Sequence, residues 1–135
     1  MATQIFVNLP VRNLKQSVAF FTHLGYTFNP QFTDDNATCM IVAENIFVML
    51  LVERFFQTFT SKALCDATRQ TEVLVCLSCD SRKDVDDMVG KALATGGTSP
   101  KPAVDHGFMY QHGYQDLDGH IWELIYMDAN AAPPA

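Results

Sequence analysis

The chain has 135 residues and a net charge of -6, because nine basic side chains stand against fifteen acidic ones. The composition is 48% hydrophobic, 11% aromatic and 18% charged, which is typical of one globular domain and excludes an intrinsically disordered chain. The negative charge disfavours nucleic acid and anionic membrane surfaces as partners. The longest apolar run, Ile46–Val52, is too short to span a bilayer, and the first residues do not resemble a secretion signal. We therefore expect a cytoplasmic protein with free cysteine thiols.

The first half of the sequence predicts a strand, a helix and three further strands. Residues Gln4 to Leu9 alternate between two faces, as a strand does. Asn13 is a predicted N-cap, and Gly25 is the predicted end of the helix. The three strands that follow are predicted at Tyr26 to Phe32, Ala37 to Ala43 and Ile46 to Val52.

The second half repeats this order. An alternating strand at Glu72 to Cys79 leads to a helix that begins at Ser81 and ends before Gly96. Three more strands are predicted at Thr98 to Val104, His106 to Tyr114 and His120 to Met127, with a turn at Asp116 to Gly119 before the last. An internal period of about seventy residues predicts two β-α-β-β-β modules, residues 3–52 and 71–127.

A connecting segment, residues 53–70, joins the two predicted modules. Phe55, Phe56, Phe59 and Leu64 recur in it at roughly helical spacing. One interpretation is a crossover whose aromatic side chains pack on a sheet edge or on a second subunit, and the other is a lid over a binding cavity. The Ala- and Pro-rich tail, residues 129–135, is predicted to be flexible.

Two motifs carry a resemblance to a known superfamily. The first runs from Val11 to Tyr26 and the second is the stretch Asp116-Leu117-Asp118-Gly119-His120-Ile121-Trp122-Glu123-Leu124. Both resemble the glyoxalase, bleomycin resistance and extradiol dioxygenase superfamily, also called vicinal oxygen chelate. The stretch Asp105-His106-Gly107-Phe108-Met109-Tyr110 resembles the bacterial branch labelled predicted lactoylglutathione lyase.

The resemblance implies an α+β fold. In it, two β-α-β-β-β modules form curved mixed sheets around a cavity, with the helices on the convex side. A single glyoxalase-like domain would span residues 1–128, and chains of this length in the superfamily usually form homodimers. The predicted partners are therefore a small-molecule ligand and a second copy of the chain.

The resemblance also implies where a metal site would lie, and most of the residues that this sequence has there are not metal ligands. Metal-dependent members hold a divalent ion at four positions that correspond here to Phe6, Met49, Leu74 and Glu123. Of these, Glu123 alone offers a ligand for a hard ion, whereas a catalytic metal normally takes about three protein ligands. We therefore expect no cofactor at this place, with a divalent metal as the alternative. A different site built from His106, His112 and Glu123 is left open.

Glu123 is the candidate catalytic residue, as an acid or base in a cavity of otherwise apolar character. The spacing of Cys76 and Cys79 is odd, so a strand directs their sulfur atoms to opposite faces, and Cys76 is the one expected to line the cavity. The remaining candidate ligand-binding residues are Phe6, Asn8, Met40, Phe47, Met49, Leu74, His106, Phe108 and Tyr110.

Two functions follow from this set of residues. The first is a lyase or isomerase acting on a small carbonyl compound or a thiol adduct, with Glu123 moving the proton. The second is a binding protein of the bleomycin resistance type, which encloses a hydrophobic or aromatic molecule without chemistry. Aromatic and thioether side chains suit the second function, because they bind flat apolar ligands.

Overall fold

The computed structural model describes residues 3–130, and it divides the chain into two compact units, residues 1–65 and 66–135. The boundary falls inside the predicted connecting segment. Each unit contains one of the two predicted repeats. The last five residues of the predicted flexible tail, 131–135, lie outside the described residues.

The first unit contains one four-stranded mixed sheet and one long helix. The elements are β1 (Ile5–Val11), helix α1 (Leu14–His23), β2 (Thr27–Asn29), β3 (Ala37–Ala43) and β4 (Ile46–Val52). The strand order is β1-β4-β3-β2. β1 and β4 pair in parallel, and the other two pairs of neighbours are antiparallel. The strands β3 and β4 have the predicted bounds.

Helix α1 begins and ends where the sequence predicts. The side chain of Asn13 accepts a hydrogen bond from the backbone N–H of Gln16 at 3.0 Å, which satisfies a donor of the first turn. Gly25 follows the helix with φ +106°, a conformation that glycine adopts without steric cost. Phe20 and Phe21 are buried on the inner face of the helix.

The strand predicted at Tyr26 to Phe32 is shorter in the structure. β2 stops at Asn29, and Pro30 opens a short 3-10 turn, Pro30–Phe32. Proline has no backbone N–H to give to a sheet, and its fixed φ suits the start of a turn. The side chain of Asn29 accepts a hydrogen bond from the backbone N–H of Gln31 and so caps this turn.

The second unit contains the elements β5 (Leu74–Ser78), α3 (Arg82–Ala94), β6 (Val104–Asp105), β7 (Met109–Gln115) and β8 (Ile121–Met127). Its sheet has the equivalent strand order β5-β8-β7-β6, in which β5 and β8 are parallel.

The strand predicted at Thr98 to Val104 is the main error in this unit. In the structure it is reduced to one bridge between Thr98 and Gln115 and to the two residues of β6, because Pro100 and Pro102 cannot donate to a ladder.

Helix α3 packs against β7 and β8. Its buried side chains are Val85, Val89 and Ala92, and the fully buried Trp122 and Leu124 come from β8. Ser81 caps the helix, as predicted, by accepting a hydrogen bond from the N–H of Asp84.

The turn before β8 is built around the buried carboxylate of Asp116. Its two oxygens accept hydrogen bonds from the N–H groups of Asp118 and His120 and from the indole of Trp122. The turn therefore fixes the start of β8, the strand that carries Glu123.

The connecting segment contains a short helix, α2 (Glu53–Phe56), and a 3-10 turn, Gln57–Phe59. The rings of Phe55 and Phe59 meet edge to face at 5.2 Å, and Phe59 remains 68% exposed. Among residues 3–130, no helix has both the length and the apolar character needed to cross a bilayer. The two mixed sheets and their helices confirm the predicted α+β class.

Candidate functional site

The register of the second sheet places Glu123 on the face opposite helix α3. Glu123 pairs with Cys76 on one side and with Gly113 on the other. Residues that pair across strands share a face, as do residues two apart along one strand. Leu74 and Gln111 are therefore on the same face as Glu123, whereas the buried Trp122 and Leu124 are on the helix face.

The carboxylate of Glu123 is held by one neighbour within the described residues. The side-chain amide of Gln111 donates a hydrogen bond to Oε2 at 2.9 Å, and both side chains are half-buried. Gln111 lies diagonally opposite Glu123 on β7, a separation that a long side chain can bridge. Gln111 is not among the site residues predicted from the sequence.

Gly113 makes this arrangement possible. It is the direct partner of Glu123, and a Cβ built on it would lie 2.7 Å from the carbonyl oxygen of Trp122. The backbones of β7 and β8 therefore approach closely at this point, as strand glycines often permit. Because Gly113 has no side chain, the space beside the carboxylate is open to Gln111.

A pocket of about 240 Å³ lies at Glu123 in the second unit. Its walls are formed by residues of all four strands of the second sheet and by the segment before β6. Most of its lining side chains are apolar, and the polar ones include Gln111, Lys101 and Glu123. The lining residues are Leu74, Pro100, Lys101, Pro102, Val104, Gln111, His112, Gly113, Tyr114, Ile121 and Glu123.

Cys76 is exposed on the face that carries Glu123, although it does not line this pocket. Partial desolvation raises the pKa of the Cys76 thiol, and the negative charge of Glu123 raises it further. The thiol is therefore kept protonated, which makes it a poor nucleophile at neutral pH. Cys79 follows the last residue of β5, so its orientation opposite to that of Cys76 stays a prediction.

The first unit presents an apolar counterpart of this face. Phe6 stacks on Phe47 with ring centroids 4.8 Å apart and an interplanar angle of 14°, and Asn8 pairs with Met49. Phe6 is 47% exposed. By strand order and register, Phe6 is equivalent to Leu74, and Met49 is equivalent to Glu123. The two repeats have therefore diverged, with a carboxylate in one and a thioether in the other.

Met40 and Tyr110 do not lie on the faces that the ligand-binding prediction requires. Met40 pairs with Val48 and is fully buried on the other face of the first sheet. Tyr110 is on the face of the second sheet that packs against helix α3. Its hydroxyl donates a hydrogen bond to Asp86 of that helix at 2.6 Å. That hydrogen bond also raises the pKa of Tyr110. Both residues are therefore corrected from ligand-binding to structural positions.

His106 and Phe108 lie in the turn between β6 and β7. Their rings are 6.3 Å apart, and His106 is exposed. Neither of them lines the pocket at Glu123.

The alternative metal site of His106, His112 and Glu123 is not assembled. His112 pairs with Leu124 and is therefore on the opposite face of the sheet from Glu123. Its Nε2 is 3.2 Å from the hydroxyl oxygen of Ser99. Within residues 3–130, no three His, Cys, Asp or Glu side chains are grouped to hold a metal ion.

The four positions at which the resemblance implies a metal ion do not fit a divalent ion either. Phe6 and Met49 in the first unit offer a phenyl ring and a thioether, and Leu74 in the second offers an alkyl group. Hard cations require oxygen or nitrogen donors, of which Glu123 supplies a single carboxylate.

Gln111 carried a sequence signal that could have been used. The turn at residues 116–119 sets the register of the β7–β8 hairpin, in which Gln115 pairs with Ile121. Counting outward from the turn gives Gly113 opposite Glu123, with Gln111 one diagonal step away. No comparable sequence signal indicates that the pocket is lined by Pro100, Lys101 and Pro102, because the prediction for their segment is a regular strand.

Comparisons with known proteins identify the fold. Residues 3–43 match the family model described as bleomycin resistance protein-like N-terminal. A solved structure of hypothetical protein SA1046 from S. aureus is 26% identical with a TM-score of 0.79, covering 93% of this chain and 95% of that one. A glyoxalase-related enzyme from Fulvimarina pelagi is 18% identical with a TM-score of 0.78, covering 93% of this chain and 88% of that one. This chain has the glyoxalase/bleomycin resistance fold.

A third structure extends the comparison. A glyoxalase/bleomycin resistance protein/dioxygenase family enzyme from Burkholderia phytofirmans PsJN is 16% identical with a TM-score of 0.76, covering 93% of this chain and 99% of that one. No curated protein matches the sequence significantly. The superfamily resemblance is thus confirmed by the fold and by the N-terminal match, while the label lactoylglutathione lyase stays a prediction.

Proposed function

We propose that this protein binds a small organic molecule in the pocket of its second unit, with Glu123 as the polar anchor. The observation that carries the proposal is the carboxylate of Glu123, fixed by Gln111 at a pocket whose other lining is mostly apolar. Binding sites for small molecules have this composition, in which a few fixed polar groups orient a ligand held by apolar contacts. The N-terminal match to bleomycin resistance proteins is in line with binding as the function.

A lyase or isomerase acting on a small carbonyl compound or thiol adduct is the second candidate. It is favoured by Oε1 of Glu123, which accepts no hydrogen bond within residues 3–130 and is therefore available to take a proton. Such a reaction also needs donors for the developing oxyanion. Tyr110 is engaged with Asp86 instead, and His106 is in an exposed turn. The geometry therefore supports binding better than catalysis.

Three further features belong to the proposal. We propose that the protein works without a resident metal, because the donor chemistry at the four family positions is unsuited to one. We also propose that it forms a homodimer and that it acts in the cytoplasm, as the sequence suggested.

A thermal-shift screen against aldehydes, thiols and aromatic antibiotics tests the binding proposal. We expect ligands that raise the melting temperature of the wild type and lose this effect in Leu74→Trp, whose indole would fill the pocket. The matched control is Leu93→Trp on α3, because Leu93 is 48% exposed and Leu74 is 50% exposed. Equal ligand shifts in the two variants would place the binding site elsewhere.

The variant Glu123→Gln separates the two candidates for any neutral ligand found. It keeps the shape and the hydrogen-bonding capacity of the side chain but removes the proton acceptor. An enzyme should lose turnover of that ligand by orders of magnitude, whereas a binding protein should keep its affinity and convert nothing. Turnover that is unchanged in Glu123→Gln would contradict Glu123 as the acid or base.

A further inference from the structure

We infer that the pocket at Glu123 selects ligands that carry a positively charged hydrogen-bond donor, such as an amidine or a primary ammonium group, on a flat apolar body. This inference rests on the proposed function and names the chemical class of its ligand. It depends on which hydrogen-bonding groups Glu123 and Gln111 still have available once they are bonded to each other.

The bond between Gln111 and Glu123 fixes the orientation of the amide. An ionised carboxylate can only accept hydrogen bonds, so Gln111 must direct its Nε2 donor to Oε2 of Glu123, as the 2.9 Å contact shows. One of the two amide protons is thereby used within the pair. The carbonyl Oε1 of Gln111 and Oε1 of Glu123 accept no hydrogen bond within residues 3–130.

The pair therefore offers the pocket two acceptor oxygens and a full negative charge. A ligand that buries this pair without donating to it would leave a charged acceptor desolvated, which is costly. An amidinium group presents two parallel N–H donors and a positive charge, which matches a carboxylate in both geometry and charge. An anionic ligand would meet repulsion at the same place.

The rest of the pocket favours a flat apolar body. Leu74, Val104 and Ile121 supply aliphatic walls, and Pro100 and Pro102 supply rigid rings. The net charge of -6 adds a general attraction for cations and a general repulsion of anions.

Lys101 is the group that opposes the inference. It lines the same pocket from the segment before β6, and it forms no ion pair with Glu123. Its ammonium group is on a long flexible side chain, so it can turn toward water when a cation binds, whereas Glu123 is held by Gln111.

The experiment compares three probes that share one ring: benzamidine, benzamide and benzoate. Binding is followed by NMR through the side-chain amide of Gln111 and the backbone amide of Gly113, so that binding at other acidic surface sites is not counted. We expect benzamidine to bind at least about tenfold more tightly than benzoate, with benzamide between them, as a charge-assisted hydrogen bond would give.

Three variants test the origin of this order. Glu123→Gln should abolish the preference for benzamidine over benzamide, and the matched control Glu72→Gln, which removes the same charge at an exposed position outside the pocket, should retain it. Lys101→Gln should leave the order of the probes unchanged.

Three outcomes would overturn the inference in distinguishable ways. If benzoate binds at the Gln111 and Gly113 signals as tightly as benzamidine, the donor requirement is wrong while the binding function stands. If none of the three probes perturbs these signals and the thermal-shift screen also finds no ligand that depends on Leu74, the proposed function itself fails. Retention of the benzamidine preference in Glu123→Gln would assign the selectivity to other residues.

Discussion

The geometry around Glu123 depends on a residue that has no side chain. Gly113 allows the backbone of β7 to approach the carbonyl oxygen of Trp122, and the Cβ of any other residue would lie 2.7 Å from that oxygen. The obstructing atom belongs to the backbone of a paired strand, so it cannot move aside as the end of a flexible side chain could. The strands must separate to accept even a methyl group.

We therefore expect Gly113→Ala to lower the free energy of unfolding by roughly 1 to 3 kcal/mol, the usual cost of overpacking. The matched control is Gly90→Ala in the middle of α3, where the added methyl group would meet no atom within 4 Å. That change should raise the free energy of unfolding by about 0.5 to 1 kcal/mol, because alanine favours the helix. Urea denaturation of the two variants measures both signs, and a Gly113→Ala protein as stable as the wild type would contradict the close approach.

The predictions for single residues depended on which face of its strand each residue occupies. Glu123 and Leu74 are on the face that alternation indicated, because β5 and β8 have alternating burial. Met40 was misplaced because residues 37–40 are all buried, so burial and hydrophobicity reveal no face there. Tyr110 was misplaced because a tyrosine suits a cavity as well as it suits a hydrogen bond to a helix carboxylate.

At the scale of elements, the turn between β6 and β7 is held to helix α3 by charge. Arg82 lies 3.6 Å from Asp105, donates a hydrogen bond to the carbonyl of Gly107, and has its guanidinium 5.9 Å from the ring centre of Tyr110. The N–H of Gly107 donates to Asp105 at 2.8 Å. This backbone hydrogen bond, followed by Arg82, lowers the pKa of Asp105 below its usual value of 3.8.

The lowered pKa predicts the direction of a pH effect. The fold favours ionised Asp105, so its contribution to stability is complete above pH 3.8 and is lost as the pH falls through the lower folded pKa. An NMR titration of the Asp105 carboxyl carbon should give a pKa below 3.8 in the wild type. Arg82→Gln should raise it only part of the way, because Gly107 remains, and Arg54→Gln should leave it unchanged. A wild-type pKa at or above the usual value would contradict the arrangement.

Element bounds were predictable where strong local signals exist. The caps of α1 and α3 and the two strands 37–43 and 46–52 agree with the structure because capping residues and a tight turn define their ends. The prediction for the segment from Thr98 to Val104 failed because Pro100 and Pro102 lack the backbone N–H groups that a regular strand donates. That segment also supplies part of the pocket wall, so the pocket could not be completed from the sequence.

At the scale of the whole molecule, both sheets leave apolar side chains open to solvent. Ile5 and Phe6 are about half exposed in the first unit, and Val73 and Leu74 are similarly exposed in the second. Apolar side chains that form a contiguous exposed patch mark an association surface, and a second copy of the chain would cover such a patch. The homodimer therefore stays a prediction with a physical basis.

Light scattering on the purified protein should give twice the chain mass of 15.1 kDa at micromolar concentration. Phe59→Ser then distinguishes the two interpretations of the connecting segment, because Phe59 is 68% exposed. Loss of the dimer would make Phe59 a subunit contact, whereas a retained dimer with weaker ligand binding would make it part of a lid. Phe32→Ser is the control at another exposed phenylalanine, and a wild type of single-chain mass would contradict the prediction.

The strand order has a consequence for how the chain is made. In each sheet the strand that begins the repeat, β1 or β5, takes its parallel partner from the strand that ends the repeat, β4 or β8. A nascent chain leaving the ribosome therefore releases β1 long before its partner exists, while β2, β3 and β4 can form a meander as they emerge. Until translation has completed a repeat, its opening strand has no hydrogen-bonding neighbour in the sheet, and this interval is when a chaperone would find it accessible.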